Sequence, residues 1–136
     1  MTGPNGQITV DTNIAIYALS LDAKADRAAA SLRAADFLSV QVLSEYANVG
    51  LRKRQDSWKV IAADLDDLRS AVPRILPIDD AAHRTAIGIC ERYRLSVYDA
   101  LMLSVALSGG ARIIYSHDMQ HDLVIDGTLR VVDPFR

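Results

Sequence analysis

The feature that most constrains this chain is its alternation of short β-branched runs with longer stretches of helical periodicity. That alternation is the sequence form of an α/β domain built on a mainly parallel sheet. Gln7-Ile8-Thr9-Val10 reads as a strand that runs into the turn-forming Asp11-Thr12-Asn13 and then into an apolar helix over 14–20. A second helix is predicted over 24–33 and a short strand at Asp36-Phe37-Leu38. Ser39 caps a helix over 40–53, in which Val42, Leu43, Tyr46, Val49 and Gly50 fall on one side at 100° per residue. Ser57 caps the next helix, where Trp58, Ile61, Leu65, Leu68 and Val72 form the cleanest apolar stripe, ended by Pro73. A strand over 74–78 follows. Asp79 and Asp80 cap a helix to Tyr93, with Ala82, Ala86, Ile87, Ile89 and Cys90 as its buried face. Ser96 caps a helix over 97–108 that stops at Gly109-Gly110. Arg112-Ile113-Ile114-Tyr115 is the strongest strand, and Leu129-Arg130-Val131-Val132 the last.

The expected architecture is therefore three-layer α/β/α, with a mainly parallel central sheet flanked by helices. At 136 residues, half of them hydrophobic and 24% charged, the chain suits one domain over 1–136 that can build a core without disulfides. Residues 1–6 read as a flexible polar stem, without the basic start and apolar run of a secretory signal. The single cysteine excludes an internal disulfide and the multi-cysteine zinc motifs. No apolar run approaches the roughly 20 residues that cross a bilayer, so a cytoplasmic protein off the membrane is expected. A net charge of −2 argues against a surface that is basic throughout, and directs attention to whether the 17 acidic residues gather around a cation.

In open α/β sheets ligands bind beyond the carboxyl ends of the strands, where loops and helix N-termini converge. Asp11 and Asp118 fall at such ends, Asp99 in a first helical turn, and Glu45 about a turn and a half into its helix. Each has an ordinary explanation: Asp11 as a helix cap, Ser96-Val97-Tyr98-Asp99 as a capping box, Glu45 as a solvated edge residue and Asp118 as a turn residue. Four carboxylates in one pocket would repel one another, and a hard divalent cation would reverse that balance. Mg²⁺ and Mn²⁺ favour oxygen ligands, and in phosphodiester hydrolysis they activate water and neutralise phosphoryl oxygens.

Val10-Asp11-Thr12-Asn13, Val42-Leu43-Ser44-Glu45, Tyr98-Asp99-Ala100-Leu101 and Ser116-His117-Asp118-Met119-Gln120 together resemble, in order, spacing and setting, the acidic motifs of PIN-domain nucleases. The resemblance runs from about Ile8 to Phe135, and the small size is most similar to the VapC toxins of bacterial toxin-antitoxin pairs. It implies a PIN-like fold, a Mg²⁺- or Mn²⁺-dependent endoribonuclease, a small cognate antitoxin and a homodimer. It also implies RNA products with a 5′-phosphate and a 3′-hydroxyl. Carried over, Asp11 and Asp99 are the main metal ligands, Glu45 and Asp118 complete the cage or orient water, and Asn13 and Ser116 hydrogen-bond to the ligands. Many relatives have a glutamate before the last aspartate and a glycine four positions after it. His117 and Asp122 stand there instead, either of which would be a further candidate for the site.

Arg52, Lys53 and Arg54 end the Glu45 helix, where cations complement the helix dipole; as a functional rim, joined by Arg92 and Arg94, they would steer phosphate. His117 is a further candidate for contact with RNA. Tyr17, Tyr46 and Tyr98 offer either core packing or stacking faces for bases, and Trp58 a core or dimer contact. His83 is too far in sequence from His117 and His121, with no cysteine partner, to favour zinc. A receiver-like phosphoacceptor would want a lysine after a late strand, and a haloacid-dehalogenase-type phosphatase a second aspartate where Asn13 stands. Phosphate-loop and dinucleotide glycine patterns are absent. The remaining rival is a nuclease-fold binding protein without turnover.

Overall fold

The computed structural model describes residues 7–136, so the stem expected over 1–6 lies outside the described residues. The elements are β1 (Gln7–Val10), α1 (Thr12–Ala18), α2 (Ala25–Ala34), β2 (Leu38–Ser39), α3 (Val40–Arg52) and α4 (Trp58–Ala71). They are followed by β3 (Ile75–Leu76), α5 (Asp80–Tyr93), α6 (Val97–Ser108), β4 (Ala111–Tyr115), β5 (Val124–Ile125) and β6 (Leu129–Val132). Four strands form one sheet in the order β1-β4-β6-β5, with β1, β4 and β6 parallel and β5 antiparallel to β6. This is the α/β fold with a mostly parallel, helix-flanked sheet that the alternation predicts.

Two details depart from the simplest form. β2 and β3 make a separate parallel pair, Leu38 opposite Ile75 and Ser39 opposite Leu76. It is stitched to β1 just before β2 begins: the Asp36 carboxylate accepts from the Ile8 N–H at 2.8 Å, the Asp36 N–H donates to the Ile8 carbonyl at 2.8 Å, and the Thr9 hydroxyl donates to the Phe37 carbonyl at 2.7 Å. A side chain thus stands in for one ladder acceptor. The antiparallel hairpin β5–β6 was not foreseen; its turn, Asp126-Gly127, has φ of 51° and 70°, the left-handed pair that a tight hairpin requires.

Every helix cap assigned to a serine is present: the Ser39, Ser57 and Ser96 hydroxyls accept from the N–H groups of Gln41, Val60 and Asp99. α6 is buried on nearly all sides, from Ala100 through Ala106, and packs against α5, β4 and β2. It ends at Gly109-Gly110, where Gly110 takes a φ of 82°, the left-handed conformation that closes a helix, and Gly109 has no room for a side chain: a Cβ there would lie 2.4 Å from the Phe37 ring. On α4, Ile61 and Leu68 are buried, as is Val72 just past its end, but Trp58 is 65% exposed, because the first residue of the helix stands beyond the end of the face it packs. It is not a core residue. Ile87, expected to be buried, is also exposed, and Cys90 is only partly covered. Among the described residues no helix is long and apolar enough to cross a membrane.

Candidate functional site

The three parallel strands end side by side. The Asp11 N–H donates to the Tyr115 carbonyl at 2.8 Å and the Ser116 N–H to the Val132 carbonyl at 3.0 Å, so Asp11 and Ser116 emerge as neighbours. Asp11 then caps α1, its carboxylate accepting from the Thr12 N–H at 2.8 Å. The same carboxylate accepts from the Ser116 hydroxyl at 2.8 Å and the Asn13 amide at 3.3 Å. Asn13 also accepts the His117 N–H at 3.0 Å, tying the first strand end to the loop after β4. The cap uses Oδ1 of Asp11, and the Ser116 and Asn13 contacts use Oδ2.

Asp11, Glu45, Asp99 and Asp118 all line one cavity of about 420 Å³, together with Thr12, Asn13, Gln41 and Lys53. Asp11 is buried and Asp118 is exposed, with Glu45 and Asp99 between them. Burial pushes the Asp11 carboxyl up to about 6, the negative charges of Glu45 and Asp99 push the same way, and the Ser116 and Thr12 hydrogen bonds oppose them. Asp99 is also raised, by burial first and by the charge of Asp118, with Ser96 opposing. The four acids are thus electrically linked in a chain from Glu45 through Asp11 and Asp99 to Asp118. A larger cavity of about 750 Å³, walled in part by Arg74, Ser108 and Gly109, lies at the other end of α6 from Asp99 and gathers no comparable set of acids.

Among the described residues, no group of three or more His, Cys, Asp and Glu side chains is so arranged that it could hold a metal ion as it stands. Mg²⁺ keeps several of its waters and needs only one or two protein carboxylates, so an all-oxygen set centred on Asp11 and Asp99 fits such an ion.

Two residues that sequence reasoning passed over belong here. The Thr12 hydroxyl donates to the Glu45 carboxylate at 2.5 Å and so links the first strand end to α3. Gln41, one helical turn before Glu45, donates to the Tyr98 carbonyl at 3.0 Å and so ties α3 to the first turn of α6. The only signal for Gln41 in the sequence was its place at i,i+4 from Glu45, one turn earlier on the same side of the helix.

Other expected residues are divided. Lys53 lines the cavity. Arg54 turns instead to Asp56, Asp64 and the Tyr46 ring, and Arg52 is exposed at the helix end. Arg92 pairs with Asp126 at 3.0 Å. Neither Arg92 nor Arg94 lines the acidic cavity. The His117 ring lies 3.2 Å from Asp133 and packs edge-on against Tyr17 and Phe135. Asp122 pairs with His121 and Arg130, and neither it nor the His117 side chain lines the acidic cavity. Asp122 has a φ of 68°, a left-handed conformation that suits glycine and that aspartate is among the few other residues to tolerate.

A family model described as the PIN domain matches residues 8–124. Among solved structures, the chain is similar to a toxin-antitoxin complex from Klebsiella pneumoniae, at 22% identity and a TM-score of 0.68 over 94% of this chain and 97% of that one. It is also similar to Mycobacterium tuberculosis VapC20, a toxin that cleaves the sarcin-ricin loop, at 22% identity and a TM-score of 0.65 over 82% and 89%. The comparison with curated proteins gives no match.

Proposed function

From the premise that the chain belongs to the PIN-domain family, we propose that it is a metal-dependent endoribonuclease and the toxin of a toxin-antitoxin pair. The observation that carries the reading is the meeting of Asp11, Glu45, Asp99 and Asp118, from four separate chain segments, in one cavity at the carboxyl ends of the parallel strands. Asp11 and Asp99 would hold Mg²⁺ or Mn²⁺, with Glu45 and Asp118 completing the oxygen set. Such an ion, when bound, supplies charge neutralisation at the phosphoryl oxygens and lowers the pKa of water. The chain's own part is orientation: Ser116 and Asn13 fix the Asp11 carboxylate, and Thr12 fixes Glu45. Lys53, on the cavity wall, offers a positive charge to the RNA backbone. The antitoxin partner is part of the same proposal, supported by the likeness to a toxin-antitoxin complex, and the homodimer is proposed with it on the family resemblance alone.

The test is cleavage of a 5′-labelled mixture of structured and unstructured RNAs with Mg²⁺, with Mn²⁺ and with chelator. Cuts that require metal and vanish in a folded Asp99→Asn variant are expected. Cuts that persist in chelator, or in that variant, overturn the reading, and so does the absence of any cut by antitoxin-free protein.

A further inference from the structure

Beside the acidic cavity lies a second, less polar groove of about 530 Å³, between α3 and the first turn of α6. Its walls include Val40, Ser44, Asn48, Ile78, Tyr98 and Leu101. Gln41 and Glu45 belong to the walls of both, so the two spaces adjoin at these side chains. Tyr98 is 68% exposed although it adjoins Asp99, and its backbone carbonyl is held by the Gln41 amide at 3.0 Å. An uncovered ring on a fixed root is what a stacking platform for a base needs.

Gln41 itself adds an independent observation. It is 7% exposed, and its Oε1 is buried with no hydrogen-bond partner. Because its Nε2 is committed to the Tyr98 carbonyl, the free atom is fixed as an acceptor and calls for a donor. In a nucleotide the sugar joins phosphate to base. A residue on the boundary between a phosphate pocket and a base groove therefore stands nearest the sugar, and among nucleic acids only ribose offers a 2′-hydroxyl donor.

We propose that this groove seats the nucleoside next to the phosphate held at the acids, with Tyr98 as its stacking face and Gln41 Oε1 as acceptor for its 2′-hydroxyl. The proposal rests on the ribonuclease reading. Its test is independent of turnover: fluorescence anisotropy of a labelled, mixed-sequence, twelve-nucleotide single-stranded RNA and of the same sequence as DNA, with Ca²⁺ in place of Mg²⁺. Tyr98→Ala weakens RNA binding about 5- to 100-fold, the range of one lost base stack, while Tyr98→Phe binds as the wild type does. Trp58→Ala, an exposed aromatic outside the groove, also binds as the wild type. Gln41→Met brings the RNA-over-DNA preference towards one. Binding that Tyr98→Ala leaves unchanged overturns the groove while the nuclease reading stands, and an unchanged preference in Gln41→Met overturns the acceptor. A wild-type chain that binds no RNA overturns both readings.

Discussion

Replacing Asp11 by Asn should stabilise the metal-free protein, although it removes a residue at the centre of the site. Asp11 is 7% exposed, and its carboxyl is raised from 3.8 to about 6. Above that pH the folded chain carries a buried charge that the unfolded chain holds in water, a penalty of about 3 kcal/mol for a rise of about two units. Asn keeps an acceptor for the Thr12 N–H and presents an amide to the Ser116 hydroxyl, but loses the Asn13 contact, which costs about 1 kcal/mol. The net gain is about 2 kcal/mol, or about 8 °C in Tm for a domain of this size. A raised folded-state pKa gives Asp11 its full stabilising effect below 3.8, and this is lost as pH rises through about 6. The advantage of Asp11→Asn is therefore complete above that window and absent below it. Thermal unfolding of chelator-treated wild type and variant, near pH 7.5 and near pH 4, measures both arms. A variant less stable than wild type near pH 7.5, or an equal difference at both pH values, would refute the reasoning. Saturating Mg²⁺ should reverse the order, because only the wild type gains the stabilisation of a bound ion.

Thr12→Val removes the hydroxyl that orients Glu45 and should lower cleavage about 10- to 100-fold, partly recovered by raised Mg²⁺; an unchanged metal titration contradicts the assigned role. Gly109→Ala brings a Cβ to 2.4 Å from the Phe37 ring and 2.7 Å from Leu76. It should cost about 1–3 kcal/mol in urea unfolding. Gly88→Ala, in α5 with nothing within 4 Å of the added carbon, should instead stabilise the chain. Tyr46→Phe deletes the 2.7 Å bond to Asp64 beneath Arg54 and should cost about 1 kcal/mol by the same measurement, with no change in metal binding.

Much of this arrangement was legible because its signals are local. Serine caps at 39, 57 and 96, the Asp11 turn and the Gly109 stop announce themselves within a few residues, and they fix where helices begin relative to strand ends. That is enough to bring Asp11 and Asp99 to one rim. What escaped depends on tertiary contacts. A periodic stripe predicts which face a helix buries but not how far along the helix the burial extends, so Trp58 fits the stripe and still stands in solvent. The direction of Arg54 is set by Asp56 and Asp64, and that of His117 by Asp133, partners that no spacing rule names. The β5–β6 hairpin is a different case, since Asp126-Gly127 is a local turn signal; its two-residue strand was too short to register beside it.

The central claim is that the four acids form a cation site, and calorimetric titration of Mn²⁺ into chelator-treated protein tests it most directly. The account predicts saturable binding by the wild type near pH 7.5, weakened at least about tenfold in both Asp11→Asn and Asp99→Asn while each variant stays folded. Wild-type protein that takes up no Mn²⁺, or binding that both variants retain in full, would contradict it.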